Sequence, residues 1–213
     1  MLKAIVFDYN GVLLNDLEYQ VESYWKAAHD LGFHTAKATV RHYISYPPAQ
    51  KKDLYFKNIS ESEWKKIFDL KERYYYQFID RKNLLFPNVE TLLPSLAGHY
   101  KLALVSNTVR SLFERTFPHH LAGLFQVTLF ADEVNEPKPS PEPLLSTVQI
   151  LGISKNECCY VGDSVEDVQM AKAAGVEIIS VTTGVCSKEG LVEAGADKLI
   201  ASLKELSRLI RPG

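Results

Sequence analysis

Cysteine is scarce in this chain of 213 residues, which contains three. Cys158 and Cys159 are adjacent and Cys186 stands alone, so their spacing fits neither a disulfide framework nor a zinc or redox pair. Thiols without such a framework are typical of a reducing compartment, and we expect the protein to be cytoplasmic. No apolar run approaches the roughly 20 residues that cross a bilayer. The apolar run Ala4–Phe7 is also too short for a signal peptide.

An excess of positive charge is lacking as well. The chain has 24 Lys and Arg against 26 Asp and Glu, a formal net charge of −2, so we expect no nucleic-acid partner. With 46% hydrophobic residues and almost no net charge, the composition excludes an intrinsically disordered protein. A chain of this length can bury a sizeable core without disulfides, as one domain or as one domain with a modest insertion.

Glycine is almost absent between residues 15 and 85, which hold one of the 11 glycines but 14 of the 23 aromatic residues. Apolar residues recur there at spacings of three and four, over 17–31 and again over 64–78, as on one face of a helix. Ser60–Glu63 carries the serine–glutamate signature of a helix start. Pro47-Pro48 interrupts the helical pattern. We predict an all-helical unit over residues 15–85.

The rest of the chain alternates short apolar runs with helical patterns. The runs are Ala4–Phe7, Leu102–Val105, Val127–Phe130, Cys158–Val161 and Ile178–Val181. Continuous apolar runs with helices between them indicate a parallel sheet that is covered on both faces. We therefore predict an α/β fold: a doubly wound, Rossmann-like parallel sheet core formed by residues 1–14 and 86–213, with the all-helical unit inserted after its first strand.

Polar residues follow four of these regions, at the points where the predicted strands end. In an open parallel sheet, ligands bind beyond the carboxyl ends of the strands, so these polar residues are the candidates for a site. Glycine permits a sharp turn after the first strand, and flanking prolines stiffen the loop that carries the lysine. The four motifs are Asp8-Tyr9-Asn10-Gly11, Ser106-Asn107, Pro137-Lys138-Pro139 and Gly162-Asp163-Ser164-Val165-Glu166-Asp167.

These four motifs, with a helical insertion directly after the first, resemble those of the haloacid dehalogenase-like hydrolase superfamily. The similarity covers the whole chain and is greatest to the branch of phosphoglycolate phosphatase and β-phosphoglucomutase. It implies that the helical unit is a mobile cap and that the chain is an Mg²⁺-dependent phosphatase. The expected partner is a small phosphorylated metabolite, with no nucleic acid and no membrane, and the expected state is a monomer or homodimer.

The resemblance also implies roles for individual residues. Asp8 is the nucleophile, Lys138 neutralises charge, and Ser106 grips the transferring phosphoryl group, with Gly11 and Asn107 as further substrate-binding residues. A carboxylate nucleophile divides a difficult transfer into two easier steps. Cations that cancel charge on the phosphoryl oxygens suit this chemistry.

The resemblance also implies a Mg²⁺ site whose ligands are Asp8, Asp163 and the backbone carbonyl of Asn10. Asp167 is implied to be an orienting carboxylate beside the metal. Oxygen ligands of this kind are those that Mg²⁺ prefers, and the ion keeps several waters.

One position departs from the family pattern. Phosphatases of this family carry a second aspartate two residues after the nucleophile, where it protonates the leaving group and activates water, and this chain has Asn10 there. An amide does not titrate and so cannot perform acid–base catalysis. An engineered Asp→Asn change, a different proton donor and a non-catalytic phosphometabolite-binding protein are three explanations of this departure.

Two other activities of the superfamily also lack that aspartate. Dehalogenases carry a tyrosine at this position and need no Mg²⁺, so the retained metal-side carboxylates disfavour dehalogenation. A phosphonatase uses a lysine of the cap, which Lys51, Lys52 or Lys57 could supply. A phosphomutase or phosphonatase is therefore the enzymatic alternative to the phosphatase.

Overall fold

A computed structural model of the chain describes residues 1–46 and 48–210. The chain forms two compact units, one of Met1–Asn15 with Leu85–Gly213 and the other of Asp16–Leu84. In the described residues, no helix has the length and apolar character that a membrane crossing requires. That the second unit acts as a cap stays a prediction.

The first unit is built on a parallel sheet. Its strands are β1 (Ala4–Phe7), β2 (Lys101–Ser106), β3 (Phe125–Phe130), β4 (Cys158–Gly162), β5 (Glu177–Val181) and β6 (Lys198–Ile200). The spatial order is β3-β2-β1-β4-β5-β6, with every neighbouring pair parallel. The strand order reverses between β1 and β4, which is where ligands bind in doubly wound sheets. The predicted doubly wound, Rossmann-like fold is confirmed.

Helices cover this sheet because its strands are apolar on both faces. All four residues of β1 are fully buried, and successive side chains of a strand point to opposite faces. Ala4 and Val6 therefore lie on one face, in a core cluster that includes Leu144 and Val168. The helices of this unit are α5 (Val89–Ala97), α6 (Arg110–Thr116), α7 (His119–Ala122), α8 (Glu142–Ile150), α9 (Val165–Ala174), α10 (Lys188–Glu193) and α11 (Leu206–Leu209), with short 3-10 helices at Lys155–Glu157 and Leu203–Glu205.

The sheet differs from the prediction at its margins. The edge strand β6 is absent from the predicted set, because its three residues Lys198–Ile200 are too short to show a periodicity. Strand β2 begins at Lys101 and includes Ser106, so the hydroxyl of the second motif lies on the strand itself.

The second unit is all-helical and has its own core. Its helices are α1 (Leu17–Asp30), α2 (Lys37–His42), α3 (Pro48–Tyr55) and α4 (Glu61–Ile79). Ser60 caps α4 in a reciprocal arrangement with Glu63, as its sequence signature predicts. Tyr24, Tyr55 and Trp64 are buried together in the core of this unit. Pro47, where the sequence predicts a break, lies outside the described residues.

Candidate active site

The Asp8 carboxylate lies directly after β1, at the point where the strand order reverses. Its backbone N–H donates to the carbonyl oxygen of Val161 on β4 at 2.9 Å, which continues the ladder one residue beyond the strand. One carboxylate oxygen is 2.9 Å from Nζ of Lys138. Burial raises the pKa of the Asp8 carboxyl to about 6, while the charge of Lys138 and a hydrogen bond from Ser106 act in the opposite direction.

Lys138 contacts the carboxylates of two motifs. Its buried Nζ lies 2.9 Å from Asp8 and 2.7 Å from Oδ1 of Asp167, and 3.3 Å from the Tyr160 hydroxyl. Burial alone would lower the pKa of this lysine, but Asp167 and Asp8 outweigh it and hold the pKa above its usual value. Lys138 therefore stays a cation and is placed beside the candidate nucleophile.

Asp167 receives donors at both of its carboxylate oxygens. Lys138 and the Tyr160 hydroxyl approach Oδ1 at 2.7 and 3.0 Å. The backbone N–H groups of Asp163 and Ser164 approach Oδ2 at 3.0 Å each, and the Ser164 hydroxyl approaches it at 2.8 Å. Burial alone would raise the pKa of Asp167, but Lys138 and the other donors hold it below its usual value. A carboxylate has about four lone-pair positions, so these contacts occupy Asp167 fully.

Asp163 is enclosed by backbone. A Cβ atom at Gly11 or Gly184 would overlap its carboxylate, and the N–H of Val185 donates to its Oδ2 at 3.0 Å. Gly11 has a φ of 78°, a left-handed conformation in which glycine is favoured, and it therefore makes the turn that the sequence predicts. Burial raises the pKa of Asp163 well above its usual value, and the charges of Asp167 and Asp8 raise it further.

The three carboxylates suit a divalent cation. Asp8, Asp163 and Asp167 each place one oxygen within 4.8 Å of the others. In the described part of the chain, Lys138 is the buried ammonium that pairs with two of them, Asp8 and Asp167, and its single charge balances one of the three negative charges that the ionised carboxylates carry. Mg²⁺ prefers oxygen ligands, keeps several of its waters and is usually bound by one or two protein carboxylates, so the donor set fits this ion.

The second motif lies beside the first and third. Ser106 is buried at the end of β2, the strand next to β1, and its Oγ accepts the N–H of Thr108 at 3.3 Å. Nδ2 of Asn107 donates to the backbone carbonyl of Lys138 at 3.1 Å, so one amide proton ties the lysine loop to this strand end. Asn10 is half-buried and its backbone bridges to Leu14.

Two contacts at this edge were not predicted. Arg110 pairs with Glu133 and lies over the ring of Phe130 at 4.8 Å, which links the segments after β2 and β3. The Thr183 hydroxyl donates to the carbonyl of Gly11 at 2.8 Å, so the loop after β5 also contacts the first motif. In the sequence, the Thr-Thr-Gly run after the fifth strand is the signal that could have indicated that loop. Arg110 and Glu133 are 23 residues apart, and no local pattern connects them.

The lysines considered for a phosphonatase belong to the helical unit. Lys52 forms an ion pair with Glu61, and Lys51 is buried with its Nζ 5.4 Å from the centre of the Tyr24 ring. No feature of Lys57 distinguishes it as a nucleophile. That one of these lysines serves a phosphonatase stays a prediction.

The sequence is similar to proteins of one family over most of its length. The pattern of the haloacid dehalogenase-like hydrolases matches residues 5–181. A phosphoglycolate phosphatase from Salmonella paratyphi A is 32% identical over 176 residues, which cover 80% of this chain and 66% of that protein. The chain thus spans slightly less than two thirds of that relative.

Solved structures share the fold. The crystal structure of a predicted phosphoglycolate phosphatase from Haemophilus somnus superposes with a TM-score of 0.85 at 23% identity, covering 99% of this chain and 98% of the other. A β-phosphoglucomutase from Clostridium difficile gives a TM-score of 0.80 at 21% identity, with coverage of 97% and 93%. The residues matched to the family pattern include all four motifs, and the chain belongs to the haloacid dehalogenase-like hydrolases.

Proposed function

We propose that this chain hydrolyses a small phosphate monoester through a phosphoryl intermediate on Asp8. The observation that carries the proposal is the pairing of the Asp8 carboxylate with Lys138 at 2.9 Å, beside the enclosed Asp163 carboxylate, at the ends of β1 and β4. An anionic nucleophile, a fixed cation and a cluster of carboxylates for a metal are the parts that phosphoryl transfer needs.

The proposed reaction has two steps. In the first, an oxygen of Asp8 forms a bond to phosphorus while the bond from phosphorus to the ester oxygen breaks, and the leaving group departs with the electron pair. In the second, water attacks phosphorus and releases a proton, the bond to Asp8 breaks, and orthophosphate and the free carboxylate result. This proton balances the one that the leaving oxygen takes up from solvent. Lys138 holds its charge beside the Asp8 oxygen in both steps, and the Ser106 hydroxyl is placed to donate to the phosphoryl group.

Mg²⁺ is the proposed cofactor, with Asp8, Asp163 and the backbone carbonyl of Asn10 as its protein ligands. When bound, the ion offsets the repulsion between the Asp8 carboxylate and the phosphate ester. Asp167 has both oxygens occupied by donors, so its role is to orient Lys138 and the backbone around Asp163.

Relatives of this chain are named phosphoglycolate phosphatase, so phosphoglycolate is the first substrate to assay. Release of orthophosphate from phosphoglycolate and from an aryl phosphate, by the Asn10→Asp variant with millimolar Mg²⁺, tests the proposed activity. No release from either compound, or from a panel of phosphorylated metabolites, would contradict it.

Mg²⁺ should stabilise the folded chain, because the carboxylates of Asp8 and Asp163 come together only on folding. At a concentration about 100 times its Kd, a ligand adds about 2.7 kcal/mol to the free energy of unfolding. For a chain of this size that raises Tm by about 5–10 °C. Thermal melts in EDTA and in Mg²⁺ measure the effect. Asp163→Asn should remove it and Asp69→Asn, in the helical unit, should retain it; an equal rise in both variants would contradict the site.

Gly184→Ala should weaken Mg²⁺ binding about 10–100-fold, the usual effect of disturbing a group that orients a metal ligand. The added methyl group would overlap the Asp163 carboxylate and displace it. Gly123→Ala is the matched control, because the nearest atom to a Cβ there is 3.9 Å away. Mg²⁺ titrations followed by Tm measure both variants. An unchanged midpoint for Gly184→Ala would show that Asp163 does not need its present position.

A further inference from the structure

The Tyr160 hydroxyl, inside the core of the sheet unit, contacts parts of three motifs. Tyr160 is fully buried on β4. Its oxygen lies 2.9 Å from the carbonyl oxygen of Val105, the residue before Ser106, and 3.0 Å from Oδ1 of Asp167. The same oxygen lies 3.3 Å from Nζ of Lys138. One hydroxyl therefore joins the strand end of the second motif, the lysine of the third and the aspartate of the fourth.

Lys138 donates hydrogen bonds to Asp167 and to the Tyr160 hydroxyl, and it forms an ion pair with Asp8. The ammonium group has three protons and no acceptor, and its three neighbours at hydrogen-bond distance are Asp8, Asp167 and Tyr160. The Tyr160 oxygen accepts one of these protons. Its own single proton goes to the carbonyl of Val105 or to Asp167.

Removal of the hydroxyl would leave a buried ammonium proton without its acceptor. Such a group is destabilised, and it moves toward another acceptor when the site allows it. The contact of Lys138 with Asp167 is the shorter, at 2.7 Å, and the contact with Asp8 is 2.9 Å. The contact with Asp8 is therefore the one we expect to lengthen.

We propose that Tyr160 is a positioning residue for phosphoryl transfer, whose hydroxyl holds Lys138 against the nucleophile Asp8; this inference rests on the proposed function. A shift of a supporting group by about 1 Å can lower a rate by about 100-fold. Tyr160→Phe keeps the buried ring and removes only the oxygen. It should lower kcat about 10–100-fold, as removal of an orienting group does, and leave KM little changed, because the proposed substrate-binding residues Ser106 and Asn107 remain.

The matched control is Thr147→Val, on α8 and outside the four motifs. Thr147 is also fully buried in the sheet unit, and its hydroxyl donates to the backbone carbonyl of Pro143 at 2.8 Å. Both variants lose one buried hydroxyl, so a general loss of stability should affect both. Kinetics with an aryl phosphate in the Asn10→Asp background should show the loss of kcat in Tyr160→Phe alone. Equal losses in the two variants, or a change in KM only, would overturn the proposal.

A second readout is independent of turnover. In a crystal structure of Tyr160→Phe, the distance from Nζ of Lys138 to the nearer oxygen of Asp8 should exceed about 3.5 Å, beyond hydrogen-bond range. Retention of both carboxylate contacts would overturn the proposal whatever the rates are. If no background hydrolyses any phosphate ester, the proposed function fails, and this distance alone decides whether Tyr160 positions Lys138.

Discussion

Asn10→Asp is expected to raise the steady-state turnover of phosphate monoesters by about 10²–10⁴-fold, the usual contribution of a general acid–base group. Asparagine and aspartate have nearly the same shape, so the fold, the carbonyl of residue 10 and the binding of phosphate should persist. Proton transfer is then the property that changes. Initial rates with one aryl phosphate, compared between the chain and the variant, give the ratio directly.

A second feature should accompany this gain. The pH–rate profile of Asn10→Asp should contain an ionisation that the profile of the parent chain lacks, because an amide does not titrate. Asn156→Asp, the same chemical change at an exposed position away from the four motifs, should leave turnover as it is. Unchanged turnover in Asn10→Asp, with Asp8 still essential, would mean that the proton comes from another residue and that position 10 has no acid–base role.

Asp8→Asn, introduced into the Asn10→Asp variant, should abolish turnover, because no nucleophile remains to accept the phosphoryl group. The loss should not arise from unfolding. Burial raises the pKa of Asp8 to about 6, so the metal-free fold loses stability as pH rises through that value and Asp8 ionises. In EDTA at pH 8, Asp8→Asn should therefore melt no lower than its parent. Residual turnover near the parent rate would remove Asp8 from the nucleophile role.

Much of the fold follows from the alternation of apolar runs and polar strand ends. The buried runs of β1 and β4 predict parallel strands, and in such a sheet the residues that follow them, Asp8 and Asp163, come to one edge. The helical unit is equally predictable, because its apolar spacing and the Ser60 capping signature both indicate helices. The edge strand β6 was missed, since three residues carry no measurable period.

The site is less fully predicted, because its supporting contacts join residues that no local pattern connects. Tyr160 lies in an apolar strand, so the sequence predicts that it is buried, and it is. Only the structure shows that its hydroxyl contacts Lys138 and Asp167. The Thr-Thr-Gly run marks the loop that contains Gly184, but only the structure shows that the Asp163 carboxylate lies against this glycine. Periodicity predicts which side chains are buried, but it does not predict which polar atom a buried side chain contacts.

Detection of phosphorylated Asp8 in the chain as it stands, after rapid mixing with an aryl phosphate and Mg²⁺, tests the central claim most directly. An aryloxide leaves without a proton, whereas Asn10 cannot deprotonate the water of the second step, so the intermediate should accumulate. Mass spectrometry should find one phosphoryl group per chain, on the peptide that contains Asp8, and none in Asp8→Asn. Turnover by Asn10→Asp with the phosphoryl group on another residue, or on no residue, would contradict the account.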